Sequence, residues 1–280
     1  MGDLYETRVD SEYRISRREG EVCSGVYPWC VDYERDGFFV FEEALTPLYI
    51  ESLLRNAKSI ENDNDSYKIS EPDSDVTRSV LSIHNEICFE SFLLSKLCRH
   101  VSGCIVDSGY VHQSRINYKY PKESAGWSWH SDFETWHSQD GMPRMEAFNF
   151  MIPLVDNHER NGCLNVIPGS HKYFISTERG GTFSSEENFR DQKVGVPTGD
   201  AIKNIVELTG NSPKPIECKA GDVVVFDCNL LHCSDANLSD ECRVNLFFVI
   251  NDGGNKLSAP YNYSFNRPEE MAARKSIKEI

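Results

Sequence analysis

The tightest constraint on this chain is a set of candidate ligands split across it. Trp127-Ser-Trp-His-Ser-Asp132 is followed about a hundred residues later by Leu231-His232-Cys-Ser234 and then by Arg243. On an extended strand, residues two apart share a face, so His130 and Asp132 can present an imidazole and a carboxylate to one ion. A fold that uses them must bring His232 back to the same point. Two neutral nitrogens and one carboxylate leave half of an octahedron open, which suits a non-haem Fe(II) that must take a keto acid and dioxygen together. A His-x-Asp pair taken alone also fits a surface turn or a histidine capped by a carboxylate. Zinc is the rival ion, but structural zinc prefers four closed, sulfur-rich ligands, and the chain has no Cys-x-x-Cys.

Two further segments have strand periodicity with polar faces. In 111–119, Gln113, Arg115, Asn117 and Lys119 fall on one side, and His112, Ser114, Ile116 and Tyr118 on the other. An all-polar row is either a solvated sheet face or the inner lining of a small barrel that binds charged ligands. In 243–249, Arg243, Asn245 and Phe247 share a face. Arg243 lies eleven positions beyond His232 and can form a bidentate pair with a carboxylate. Lys119 competes for that role, and a surface salt bridge from Arg243 to Glu241 or Asp240 is the structural alternative.

The rest of the chain suggests a helical front and a strand-rich back. Thr46-Pro47 predicts an N-cap followed by Pro at the first helical position, with apolar residues at helical spacing over 48–57. Phe89, Phe92, Leu93 and Leu97 form a second helical stripe, and 61–77 between them looks like an exposed polar loop. Strand candidates at 147–154, 164–167, 222–226 and 245–250 are separated by Gly, Pro, Asn and Asp, the pattern of a β-sandwich or barrel. The expectation is one domain over 1–280: a helical extension (about 1–105), a β core (about 106–252) and a tail (253–280). Within the core, a polar insertion at about 180–212 is either disordered or a lid.

Composition narrows the partners. A net charge of −15 argues against nucleic acid and anionic membranes, and no stretch is long and apolar enough for a signal peptide or a span. Ten scattered cysteines suggest reduced thiols and a soluble cytoplasmic enzyme, while a homodimer stays open.

Several blocks together carry a resemblance: His130-Ser-Asp-Phe-Glu-Thr-Trp-His137, Asp140-Gly-Met-Pro-Arg-Met145, Ile167-Pro-Gly-Ser-His-Lys172, Phe226-Asp-Cys-Asn229 and Arg267-Pro-Glu269. The chain resembles the ectoine hydroxylases within the phytanoyl-CoA dioxygenase group of Fe(II)/2-oxoglutarate enzymes. The resemblance implies a mainly β fold with flanking helices, a cupin-like double-stranded β-helix or jelly roll. It implies His130, Asp132 and His232 as the catalytic iron ligands, with Lys119, Asn117, Ser234 and Arg243 around 2-oxoglutarate. Gln113, Trp136 and Phe247 then hold the substrate, and Trp127 adds aromatic surface. The implied reaction consumes O2 and 2-oxoglutarate and hydroxylates a small zwitterion, ectoine first among them, with free proline or another small amino acid as the alternative.

Departures from the pattern bear on the substrate. Met145-Glu-Ala-Phe-Asn149 stands where the family usually has Met-Arg-Ala-Leu-Ser, Asn161-Gly-Cys-Leu164 replaces Asn-Gly-Pro-Leu, and Cys233 occupies a common glycine position. Two other classes remain open at this level. One is a jelly roll that binds metal and ligand without turnover; the other is a zinc hydrolase with Glu134 as base, in which Lys119 and Arg243 have no task.

Overall fold

The alternating segments pair into two facing sheets in a computed structural model that describes residues 13–72, 74–177, 184–192, 194–261 and 266–280. In chain order the strands are β1 (Arg14–Arg17), β2 (Phe38–Phe41), β3 (Lys68–Ser70), β4 (Thr77–Leu81), β5 (Gly109–Lys119), β6 (Trp127–His130) and β7 (Ala147–Pro153). They continue with β8 (Leu164–Val166), β9 (Tyr173–Ser176), β10 (Lys214–Ile216), β11 (Val223–Asp227), β12 (His232–Ser234) and β13 (Arg243–Asp252). The larger sheet runs β2-β11-β7-β13-β5-β4-β3 and the smaller β10-β8-β12-β6, while β1 and β9 form a separate pair. Every pairing among them is antiparallel. This is the expected double-stranded β-helix.

Helices cover the outer face of the larger sheet, and the start signal of one of them was legible. Helix α1 (Pro28–Asp36) is followed by α2 (Pro47–Glu61), whose Thr46 hydroxyl accepts from the Tyr49 N–H at 3.4 Å. Such a cap contributes about 1 kcal/mol, and Pro47 removes a donor that would otherwise be orphaned. Ile50, Leu53 and Ala57 turn inward onto the core. The second stripe is broken into α3 (Ile87–Leu93) and α4 (Lys96–Ile105). Ser95 sits extended between them and its hydroxyl accepts from the Cys98 N–H at 3.1 Å, so Leu97 belongs to a new helix. Phe92 of α3 packs edge-on to Phe150 at 5.2 Å and stacks on Phe248 at 5.5 Å, tying the helix to β7 and β13. Each such buried ring contributes about 2–3 kcal/mol.

Three expectations need amendment. Segment 61–77 is not simply an exposed loop: β3 lies within it, Ile69 is fully buried, and Glu71 forms an interior ion pair with Arg78 at 2.6 Å. One of its charges, Glu71, is paired inside the fold, while Asp63, Asp65 and Asp75 stay exposed. The region before 105 also supplies β2, β3 and β4 to the two edges of the larger sheet. Within the polar insertion, 180–183 and 193 lie outside the described residues, and the described part holds α6 (Ser185–Arg190) and α7 (Gly199–Thr209).

The described part of the tail expected after 252 packs onto the core. It returns to the start of β5, where Ala273 N–H donates to the His112 carbonyl at 2.9 Å and Ile280 N–H to that of Gly109 at 3.0 Å. Among the described residues no helix is long and apolar enough to cross a membrane. All ten cysteines are unpaired thiols.

Candidate metal centre and its cleft

Strands β6 and β12 are neighbours in the smaller sheet, and their register sets His130 directly opposite His232. The two imidazole rings lie 4.2 Å apart. Ser131 stays extended (φ −107°, ψ 140°), so the two-residue spacing carries Asp132 to the side of His130. Asp132 then opens a one-turn helix, α5 (Asp132–Thr135), instead of prolonging the strand. Its Oδ1 is 3.7 Å from His130 Nε2 and 4.0 Å from His232 Nε2. All three ligand atoms fall within 4.8 Å of one another, and no other cluster of this kind occurs among the described residues.

Local bonds aim these atoms at one point. His130 Nδ1 donates to the Ser128 carbonyl at 2.6 Å and His232 Nδ1 to the Leu230 carbonyl at 2.9 Å, so each Nε2 lone pair faces the centre. The Asn149 amide donates to Asp132 Oδ2 at 3.0 Å and leaves Oδ1 for an ion. Burial, helped by the neighbouring His232, pushes His130 down to about 3, the neutral form a ligand needs. Burial would raise the Asp132 carboxyl, but His232, Arg115 and His130 hold it below the usual carboxylate range. The donor set is two imidazole nitrogens and one carboxylate oxygen, which fits a divalent iron with open positions.

The polar faces of β5 and β13 line the cleft, with lining also drawn from the smaller sheet that carries the triad. Register pairs Arg243 with Lys119, Asn245 with Asn117, and Phe247 with Arg115. At about 3.4 Å per residue, Arg243 and Phe247 therefore mark two ends roughly 14 Å apart. The space between them, counted to its mouth, is about 740 Å³.

At the first end Lys119 Nζ donates to Ser234 Oγ at 2.9 Å and to the Asp235 carbonyl, while Arg243 donates to the Gly162 carbonyl. Gly162 has φ +70°, and a side chain there would run into the Asp235 carbonyl. Arg78 lies over the Trp127 ring at 3.5 Å, with Lys119 on the same ring at 5.1 Å. Burial, then Arg243 and Arg78, push Lys119 down to about 5; burial brings Arg243 to about 10. Basic groups this crowded, with Glu71 the one carboxylate paired with them among the described residues, are arranged for an anion. Arg243 has no salt bridge to Glu241 or Asp240; Asp240 pairs with Lys122 at 3.1 Å.

The second end is built from Arg115, Phe247, Trp136, Arg267, Phe189 and Gln192. Arg115 lies 4.7 Å from the Phe247 ring and 5.8 Å from that of Phe189. Gln113 lines the cleft, but its oxygen accepts from Arg115 at 2.6 Å and its amide donates to the Met271 carbonyl at 2.8 Å. It aims Arg115 as much as it faces a ligand. Trp127 stands at the Lys119 end, and Trp129 does not line the cleft. Glu134 does not line it either; it accepts from the Thr177 hydroxyl at 2.8 Å, which leaves a zinc hydrolase without its base.

The structure therefore brings together His130, Asp132, His232, Asn117, Ser234, Arg243, Gln113, Trp136, Phe247 and Trp127 in one cleft, with Lys119 at its edge. The sequence reading did not single out Phe189 or Gln192, and it left Arg267, Asn149 and Arg115 without a role although Arg267 and Asn149 stand in quoted blocks and Arg115 on the polar face of its strand. No local pattern marks Phe189 and Gln192, because each reaches the cleft only through the path of the chain.

A double-stranded β-helix with two histidines and one carboxylate at its mouth defines a non-haem metal oxygenase architecture. Residues 33–245 match the model of the phytanoyl-CoA dioxygenase family, and the chain belongs to that family. It is 35% identical over 300 residues to the ectoine dioxygenase of Bordetella parapertussis, covering 99% of this chain and 94% of that one. With the ectoine dioxygenase of Halomonas elongata the identity is 36% over 292 residues, at 96% and 86% coverage. Among solved structures, EctD from S. alaskensis with 2-oxoglutarate and 5-hydroxyectoine superposes with a TM-score of 0.85 at 29% identity, covering 97% of this chain and 95% of that one. The same protein with bound Fe gives 0.83, at the same identity and coverage.

Proposed function

We propose that this protein is an Fe(II)- and 2-oxoglutarate-dependent dioxygenase that hydroxylates ectoine to 5-hydroxyectoine. One observation carries the reading: a single cleft holds a two-histidine, one-carboxylate centre and two separate cationic ends. His130, Asp132 and His232 would hold the iron, which, with 2-oxoglutarate and O2, supplies the oxidising chemistry that inserts oxygen into a C–H bond. Arg243 and Lys119 bind the far carboxylate of the keto acid, with Ser234 and Asn117 beside it. The Ser79 hydroxyl donates to Asn117 Oδ1 at 2.8 Å, which turns the Asn117 amide donors toward the cleft.

At the opposite end Arg115 and Arg267 anchor the substrate carboxylate. Trp136 and Phe247 provide aromatic faces for its delocalised cation. No general base is required, so the task of these residues is to place one C–H and keep water out. Unpaired thiols throughout the chain fit a reducing, cytoplasmic setting.

The test is succinate release by purified, Fe(II)-loaded protein given 2-oxoglutarate and ectoine, with proline as comparison and the product mass checked for one added oxygen. Ectoine-dependent succinate together with that mass is expected. Inert ectoine alongside oxidised proline would reject the substrate.

A further inference from the structure

The turn that supplies Trp136 to the cleft ends on a carboxylate no step above has used. Trp136–Asp140 is a single π-helical turn, and its last residue, Asp140, is fully buried. Arg267 grips Asp140 with both arms of its fork, Nε to Oδ1 at 2.7 Å and Nη2 to Oδ2 at 2.5 Å. Nη1 takes no partner among the described residues, and Arg267 lines the cleft. A guanidinium held at two corners offers its third in a fixed direction.

His112, on the outward-turned side of β5, closes the network from behind. Its Nε2 lies 3.2 Å from Asp140 Oδ2, and its ring meets the edge of Trp136 at 5.4 Å. Burial lowers the His112 pKa further than Asp140 raises it, so the ring is neutral and donates from Nε2; Nδ1 has no partner among the described residues. The chain bearing Arg267 is itself clipped to β5. The Met271 carbonyl accepts from Gln113 at 2.8 Å and from Arg267 Nη2 at 3.3 Å, and the Arg274 guanidinium donates to the Asp140 carbonyl at 2.5 Å. Gln113 in turn holds Arg115.

We propose that Asp140, backed by His112, is the positioning residue of the substrate end: it locks the C-terminal strap 266–280 against β5 and sets Arg267 and Trp136 at a fixed separation. The proposal rests on the reading of Arg115 and Arg267 as anchors of the substrate carboxylate. Asp140 touches neither substrate nor metal. It selects for a ligand whose anion and aromatic-seeking cation match the spacing of that pair, and it leaves the keto-acid end alone.

The test uses the Fe(II)-loaded full chain and three variants, D140N, R267Q and the double variant. D140N is expected to raise the KM for ectoine about tenfold or more, to leave the KM for 2-oxoglutarate within about twofold, and to release more succinate per hydroxylated product. On an R267Q background, D140N is expected to add less than about a twofold loss, since both changes remove one interaction. An unchanged ectoine KM with only a lower melting temperature overturns the proposal, as does an equal rise in both KM values. If D140N is not recovered folded, H112Q decides, with about a threefold rise in ectoine KM expected and no rise counting against the role. Amide exchange over 266–280 needs no substrate: D140N should increase it, and wild-type protection would also overturn the proposal. Failure of wild type to oxidise ectoine rejects the functional reading instead and leaves the exchange result to judge the strap.

Discussion

The two ends of the cleft are built by different means. The metal and keto-acid end comes from regular strands: β5 and β13 present Lys119, Asn117, Arg243 and Asn245, and β6 and β12 present His130, His232 and Ser234. The substrate end takes Arg115 and Phe247 from those same strands, and the rest of its wall from pieces of little regularity: Trp136 from one π turn, Phe189 from a six-residue helix, Gln192 from the chain just after it and Arg267 from the C-terminal strap. In the proposed assignment, the keto-acid end sits on the rigid scaffold, where two ladders fix each side chain to a register, whereas the substrate end adds residues from connections, where a change of length or residue costs the scaffold little.

The comparison can be broken most severely at the centre. Asp132→Ala removes the only carboxylate of the triad and is expected to lower succinate formation more than about a thousandfold, alongside lost metal binding. Retained turnover would remove the metal-centred reading altogether. Next is Arg243→Met, which leaves the keto-acid carboxylate without its fork. The KM for 2-oxoglutarate should rise about a hundredfold while ectoine affinity moves little, and equal shifts in both would erase the distinction between the ends.

Asn149→Ala probes the support of the centre. Freed of its amide, Asp132 can turn, and affinity for Fe(II) or Co(II) in a direct titration should fall about tenfold. Unchanged affinity would mean that strand register alone aims the carboxylate.

Lys119 sharpens the comparison through pH. With no anion bound it titrates at about 5, far below an ordinary lysine, so it is neutral at pH 7. A dianion beside it favours the ammonium form and raises that value. Binding of 2-oxoglutarate therefore takes up a proton, and its affinity falls by up to about tenfold per unit as pH rises above 5 toward the bound-state value. Calorimetry in buffers of different ionisation heat should record the uptake, and Lys119→Met should abolish it. The smallest effect is Phe189→Ala, which trims one wall of the substrate end and should raise the ectoine KM about threefold without changing that of 2-oxoglutarate.

Legibility in the sequence followed the same division. Period-two alternation exposed the inner faces of β5 and β13, and the Thr46-Pro47 cap located α2. Ser95 was an equally good cap signal, but it sat inside a continuous apolar stripe and the break was read through. Glu71, within 61–77, read as solvent-facing because a charge reveals its partner, here Arg78, only when both ends of a hairpin are in place. Asp132 lay at the limit: extended spacing reached Ser131 and a helix began one residue later.

By itself the sequence determined which atoms could meet a metal and which faces of two strands turn inward, because side-chain direction on a strand alternates with a fixed period. It could not determine what closes the other end. Arg267 and Asp140 are 127 positions apart, and their ion pair exists only once the C-terminal strap has folded back onto β5. Contacts between irregular segments have no periodicity to read, so only the tertiary structure decided where the substrate end lies and which residues hold it.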